Sequence, residues 1–162
     1  MEKMNLTIRL MTQDDFMPLY ELLSDARAMR YLEPTFTREQ SEGFLMRAGL
    51  STPPMIYAVE KDGHFLGYVI YHDYDEASME IGWVLHPDHW RKGYATYLTG
   101  VLKEKAVCGN KQAVIECSPE QEATKHIARK NEFVYEGCID GLDIFRYKRS
   151  STDAQSHEST GG

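Results

Sequence analysis

The residues with the clearest chemical promise lie in one continuous stretch, Glu80-Ile-Gly-Trp-Val-Leu-His-Pro-Asp-His-Trp-Arg-Lys-Gly-Tyr-Ala-Thr96. A run of large apolar residues reads as a strand over Ser78 to Leu85. His86-Pro87-Asp88 stops it, because proline cannot donate to a ladder. A short loop, Asp88 to Lys92, leads into a helix over Gly93 to Val107. Its stripe of Tyr94, Tyr97, Leu98, Val101 and Leu102 fits a period of 3.6. A helix start leaves backbone N–H groups unpaired and carries partial positive charge. Such a start suits phosphate oxygens. Gly93 lets backbone approach closely, Ala95 is small enough to keep the space open, and Arg91 and Lys92 add positive charge. The segment reads as a diphosphate-binding turn. It is neither a Walker loop nor a GxGxxG turn, since the required glycines and the Lys-Ser/Thr pair are missing. The competing reading makes Gly93 a packing glycine at a loop–helix junction and Arg91 and Lys92 a solvated pair. Spacing alone does not choose between them.

Other reactive side chains are scattered. His72, His86 and His89 lie on a strand and a loop without the i, i+4 spacing of a helical ligand pair, so no metal is assigned. Cys108, Cys117 and Cys138 are odd in number, widely spaced and without a CxxC. They read as reduced thiols in or near the core of a cytoplasmic protein. Cys117 falls on a short buried strand, which makes a nucleophilic role improbable on chemical grounds.

The elements that must position this stretch follow from period and punctuation. Residues 5–11 read as an edge strand. Thr12 with Asp15 is a capping box opening a helix that carries Phe16, Leu19 and Leu23. A second short helix runs through Ala26 to Leu32 and breaks at Glu33-Pro34. Thr37 with Gln40 opens a third, with Phe44, Leu45 and Ala48 on one side. Met55 to Glu60 and Phe65 to Tyr71 form a hairpin around Lys61-Asp62-Gly63, and residues 73–77 read as another turn. Ala113 to Cys117 is a short buried strand. Pro119 suits the N-terminus of a helix over 120–131 with Ala123, Ile127 and Ala128 inward. Phe133 to Ile139 and Leu142 to Lys148 alternate as strands around Asp140-Gly141. The order β, α, α, α, β, β, β, α, β, α, β, β predicts an α/β (α+β mixed) domain, a mixed sheet with helices on both faces.

With 162 residues the chain forms one domain, over 1–149. Residues 150–162 are polar and cannot bury enough apolar area to offset ordering, so they read as a disordered tail. The net charge of −7 and the lack of a Lys/Arg-rich run argue against nucleic acid. No apolar run is long enough to span a membrane, and the N-terminus shows no secretory signal. A cytoplasmic location is expected.

The stretch Trp90-Arg91-Lys92-Gly93-Tyr94-Ala95 resembles the acetyl-CoA signature of the GNAT superfamily, Gln/Arg-x-x-Gly-x-Gly/Ala. Trp90 departs from it at the first position. Trp-x-Lys-Gly-Tyr-Ala-Thr, Arg30-Tyr31-Leu32 with Pro34, and Lys130-Asn131-Glu132-Phe133 with Glu136-Gly137 resemble the branch of ribosomal-protein N-terminal acetyltransferases. That branch usually has Gly where this chain has Glu132. The resemblance covers residues 5–149. It implies a GNAT-like fold: a mostly antiparallel mixed sheet of six to seven strands with a splayed central pair. It also implies pantetheine pairing with the backbone at Trp83, Val84 and Leu85. The pyrophosphate would rest on the amides of Arg91, Lys92, Gly93, Tyr94, Ala95 and Thr96. The second half of the site, usually Asn-x-Ala-Ser, reads Gln121-Glu122-Ala123-Thr124 here.

The implied activity is transfer of acetyl from acetyl-CoA to a primary amine, with no metal. An amine near its free pKa of about 10 must lose a proton before it attacks. The resemblance offers Glu80 as base or part of a water relay; otherwise Glu80 is a solvent-facing carboxylate or an ion-pair partner. The helix position that often carries an acidic Tyr is Ala128 here, and Thr124 matches the serine given that role in the branch. Thr124 equally suits pantetheine binding. Tyr31, Phe36, Tyr71 and Tyr74 are candidates to shape an acceptor pocket, and Glu33 and Asp73 to attract a cation. The acceptor is either a protein N-terminus or a small amine such as a polyamine, an amino acid or an antibiotic. The alternative is a catalytically silent acyl-CoA sensor. The molecule is expected as a monomer or homodimer, with Phe133 to Lys148 as the pairing strands of a dimer.

Overall fold

The computed structural model describes residues 4–148; the tail expected over 150–162 lies outside them. The chain runs β1 (Thr7–Arg9), α1 (Phe16–Leu23), α2 (Ala26–Met29), α3 (Arg38–Phe44), β2 (Ile56–Lys61), β3 (His64–Asp75), β4 (Ser78–Leu85), α4 (Tyr94–Cys108), β5 (Gln112–Cys117), α5 (Glu122–Lys130), β6 (Val134–Ile139) and β7 (Leu142–Tyr147). This is the predicted order. Both predicted capping boxes form, Thr12 with Asp15 and Thr37 with Gln40. Each pair satisfies two N–H groups that a helix start would otherwise strand.

The seven strands make one sheet in the order β1-β2-β3-β4-β5-β7-β6. Only β4 and β5 run parallel; the other neighbours are antiparallel. Period two divides the side chains between two faces. On one face Val69, Ile81 and Phe145 pack under Leu98 and Leu102 of α4. On the other, Ile56, Ala58 and Tyr68 pack under Leu19, Leu22 and Leu45 from the α1–α3 region. Burying each such side chain contributes about 1.5–3 kcal/mol. Helices therefore cover both faces, as predicted.

The central pair splays. β4 pairs β5 from Ser78↔Gln112 to Glu80↔Val114 and no further. β4 continues to Leu85 and β5 to Cys117, so their later halves part. Arg146 of β7 pins the closed end. Its guanidinium donates to Ser78 Oγ of β4 (2.6 Å), Gln112 Oε1 of β5 (3.1 Å) and Glu136 Oε1 of β6 (2.8 Å).

Helices α4 and α5 end in the same way. Asn110 (φ 61°) and Glu132 (φ 70°) both adopt left-handed backbone just past the helix. Asn110 N–H donates to Val107 O and Lys111 N–H to Ala106 O; Glu132 N–H donates to Arg129 O and Phe133 N–H to Ala128 O, all at 2.9 Å. These paired 5→2 and 6→1 bonds are Schellman caps, and the second seats buried Phe133 beneath α5.

Several local expectations are corrected. Residues 73–77 are not a turn throughout: a bulge between Asp73 and Asp75 keeps β3 paired to β4 until Ser78, leaving Glu76 and Ala77 to turn. The helix through Ala26 to Leu32 ends at Met29, and α3 gives way to a wider π turn, Leu45–Gly49. Pro119 sits in the turn before α5, whose N-cap is Gln121. On α4, Val101 is at the helix flank and 36% exposed. Thr99 is buried instead, its hydroxyl satisfied by Ala95 O at 2.7 Å. Cys108 and Cys138 are exposed, and only Cys117 is buried.

Candidate cofactor and active site

The opening between β4 and β5 continues into a cleft of about 840 Å³. Trp83, Val84 and Leu85 form one wall, Gly93, Tyr94, Ala95 and Thr96 the head, and Gln121 to Thr124 of α5 the opposite wall. The strand wall is polar at its edge for a geometric reason. His86 N–H donates to Leu66 O on β3 (2.9 Å). Antiparallel pairing alternates, so with Tyr68 opposite Val84, the backbone groups of Val84 also turn to β3. Those of Trp83 and Leu85 then point the other way, into the gap left by β5. Val84 is among the cleft's lining residues, but its backbone groups turn to β3, so of the three expected strand residues the register leaves Trp83 and Leu85 with backbone facing the gap.

At the head, Arg91 (φ 63°) and Gly93 (φ 80°) are both left-handed. This reversal swings the chain directly into α4. The first bond of that helix is Tyr97 N–H to Gly93 O (3.1 Å), so the N–H groups of Tyr94, Ala95 and Thr96 lie ahead of the ladder. A Cβ at Gly93 would meet only Met4 Cε, at 3.3 Å, so backbone conformation rather than crowding selects glycine here. Arg91 lines the cleft and Lys92 does not. His89 lines the cleft, and its pKa is depressed by burial first, then by the charges of Lys92 and His86.

On the opposite wall Gln121 has half its amide engaged: Oε1 accepts from Ser118 N–H (2.8 Å). Gln121 is also one of the residues lining the cleft. Thr124 lies in the first turn of α5 and lines the cleft with Ala123 and Ile127. Ala123 is exposed because it faces this opening, whereas Ala128 is fully buried against the sheet. Lys125 anchors α5 to buried Asp143 on β7 (3.1 Å).

Tyr31 lines the cleft, and Glu33 lines a neighbouring hollow of about 530 Å³ that shares Arg30, Tyr31, Leu32 and Glu120 with it. Tyr71 and Asp73 line neither. Period two turns Tyr71 to the α4 face, where Lys105 Nζ lies 4.9 Å from its ring centroid. The sequence reading missed Arg27 and Arg30, which line the cleft from α2 and the residue capping it. Their i, i+3 spacing, which puts both on one helix face, was the available signal.

Glu80 sits at the last β4–β5 bridge, just where the strands part. It is not on the cleft wall; Trp83 is three residues farther on, about 10 Å along the strand. Opposite it on β3 is His72. His72 Nε2 lies 3.6 Å from Glu80 Oε2, both side chains about one-quarter exposed. His72 Nδ1 lies 3.0 Å from Asp73 O. A carbonyl only accepts, so Nδ1 carries hydrogen and Nε2 faces the carboxylate. The neighbouring Glu80 carboxylate raises the His72 pKa above its ordinary value, against the lowering effect of burial. Cys117 offers no nucleophile: burial pushes its thiol up to about 11. Among the described residues no group of three or more His, Cys, Asp and Glu is placed to hold a metal.

The model of the acetyltransferase (GNAT) domain family matches residues 5–134. The uncharacterized N-acetyltransferase YnaD of Bacillus subtilis (strain 168) is 27% identical over 143 residues, covering 83% of this chain and 84% of its own. A GNAT-family acetyltransferase from Bacillus anthracis superposes with a TM-score of 0.77 at 26% identity, over 90% of this chain and 95% of that one. The spermidine N-acetyltransferase of Vibrio cholerae, solved with CoA and spermine, shares the fold with a TM-score of 0.72 at 19% identity, over 88% and 93%.

Proposed function

The chain belongs to the GNAT acetyltransferase family and is an acetyl-CoA-dependent N-acetyltransferase; we propose that a primary amine attacks the acetyl group directly, within a ternary complex. The observation that carries this reading is the cleft where the free edge of β4 meets the unpaired N-terminal amides of α4. An extended pantetheine arm pairs with Trp83 and Leu85, and a diphosphate rests on the amides of Tyr94 to Thr96 beside Arg91. Arg27 and Arg30 add positive charge along the same cleft. These donors are fixed before the ligand arrives, so little reorganisation is needed on binding.

The acceptor nitrogen forms a bond to the acetyl carbonyl carbon as the carbon–sulfur bond breaks. The ammonium form has no lone pair, so its proton leaves first. Glu80 with His72 takes it through water, since Glu80 stands below the cleft wall. Neutral His72 is the proton sink, and the resulting imidazolium is held by the Glu80 carboxylate. After attack the nitrogen loses a second proton, which the departing thiolate takes up; Thr124, which lines the cleft, is the candidate hydroxyl to relay it, or else to bind pantetheine. Ala128, buried in the core, supplies no acid.

The acceptor is an amine. Resemblance to the ribosomal-protein branch favours a protein N-terminus, while the hollow holding Glu33 and Glu120 suits any ammonium group. Acetyl-CoA with a panel of peptides and a panel of small amines, followed by CoA release, separates these classes. Turnover on peptides supports the N-terminal reading, and turnover confined to small amines removes it. CoA binding with no turnover on either panel would make the chain a sensor instead.

A further inference from the structure

Leu85 ends β4 on the side β5 has left, so its carbonyl has no strand to accept from. A side chain fills that role. Trp90 Nε1 donates to Leu85 O at 2.9 Å. Trp90 lines the cleft, is 45% exposed, and immediately precedes the left-handed pair Arg91 and Gly93. The bond therefore closes the segment 85–90 into a ring, with the strand edge at one end and the phosphate turn at the other. Within the ring His86 N–H is fixed to β3, and Trp90 N–H donates to Pro87 O (3.1 Å).

We propose that Trp90 is a positioning residue that sets the distance between the two halves of the cofactor site. The inference rests on the acetyl-CoA reading above. A ligand touching both halves gains from having them held at the right spacing, because the second contact becomes intramolecular. A ligand touching only the phosphate turn gains nothing from the tie. A residue that merely stabilised the loop, or touched phosphate itself, would affect both ligands alike. The carbonyl has a second lone pair, so the tie and a pantetheine donor are compatible on Leu85 O.

The test uses Trp90→Phe, which keeps a ring in the cleft and removes the donor, with Trp90→Leu as a second variant that also lacks a donor. Calorimetry measures Kd for CoA and for ADP, and steady-state kinetics with acetyl-CoA follows. The expected result is a CoA Kd raised about 5–10-fold, the loss of roughly one hydrogen bond. The ADP Kd should change less than twofold, and KM for acetyl-CoA should rise with kcat retained. An unchanged CoA Kd in both variants would overturn the proposal, as would an equal loss for ADP. Failure of the unsubstituted protein to bind CoA would instead sink the cofactor reading.

Discussion

At the scale of single residues, chemistry is concentrated where backbone pairing stops. Glu80 is the last residue of β4 bridged to β5, and His72 faces it across β3. Because the His72 pKa is raised, its proton persists to higher pH than on an ordinary histidine at 6.5. On the proposed relay the neutral form takes the amine proton, and kcat/KM should then climb with pH along a limb centred above 6.5. Below that the sink is already full. The same ion pair stabilises the fold fully below the unfolded value and contributes less as pH rises through the folded one. His72→Gln removes the titrating imidazole. The limb above 6.5 should disappear, and the plateau should fall about 10²-fold, the ordinary worth of a general base. Glu80→Gln should lower the plateau similarly. A pH profile of each variant checks this; a limb that stays put in His72→Gln would exclude histidine from the relay. The sequence pointed to Glu80 only by resemblance and passed over His72. Cross-strand register joins them, and register depends on the hairpin and on the bulge between Asp73 and Asp75. The same bulge-bearing strand sends Tyr71 to the opposite face, which composition could not foretell.

At the scale of elements, two backbone positions carry the frame of the site. Glu132 holds left-handed backbone at the cap of α5, at the position where the resembling branch usually has glycine. A side chain there costs about 1–2 kcal/mol relative to ordinary backbone, partly offset by glycine's larger unfolded-state entropy. Glu132→Gly should therefore stabilise the fold by about 0.5–1 kcal/mol, read as a higher urea midpoint at constant m. Gly67 is the reverse case. It sits at φ +155° beside a bulge in the β2–β3 pairing, and an added Cβ would collide with the Val84 carbonyl and lie 2.8 Å from Leu85 Cα. Gly67→Ala must push back the end of β4 that walls the cleft. We expect a loss of about 1–3 kcal/mol of stability, as overpacking commonly costs, together with weaker CoA binding. Gly63→Ala is the control: φ is +78° with nothing within 4 Å of the added atom, so strain alone operates and CoA affinity should hold. Equal CoA affinity in the two alanine variants would show that Gly67 does not set the wall. The elements themselves were legible because capping boxes, period 3.6 and turn glycines are local signals. Their ends were less so: β3 outlasts its turn-like residues because pairing with β4 holds them extended, and α5 starts after Pro119 because the turn from Ser118 to Gln121 comes first.

At the scale of the molecule, the two layers of helices serve to hold one sheet open along one seam. Arg146 clamps β4, β5 and β6 at the closed end, and α4 and α5 stand over the open end. The seam was legible only through the resemblance, since nothing in β4 or β5 taken singly says that two adjacent strands will part. An open seam leaves apolar wall and backbone edge facing solvent, as at Ala123 and half-exposed Trp90. A ligand that fills it binds the folded chain and not the unfolded one, so it must raise stability. At about a hundred times Kd the gain is roughly 2.7 kcal/mol. For a domain of this size that is about 5–10 °C in Tm. Acetyl-CoA and CoA should both produce it, because both reach the strand edge and the phosphate turn. ATP and NAD carry phosphates without a pantetheine arm, so each should give a clearly smaller shift at the same concentration. The size of that difference measures the strand half of the site directly. If ATP matched acetyl-CoA, the seam would contribute nothing, and the turn before α4 would be a general phosphate site; if acetyl-CoA gave no shift at saturation, Trp83, Leu85 and the head of α4 would not form a cofactor site at all.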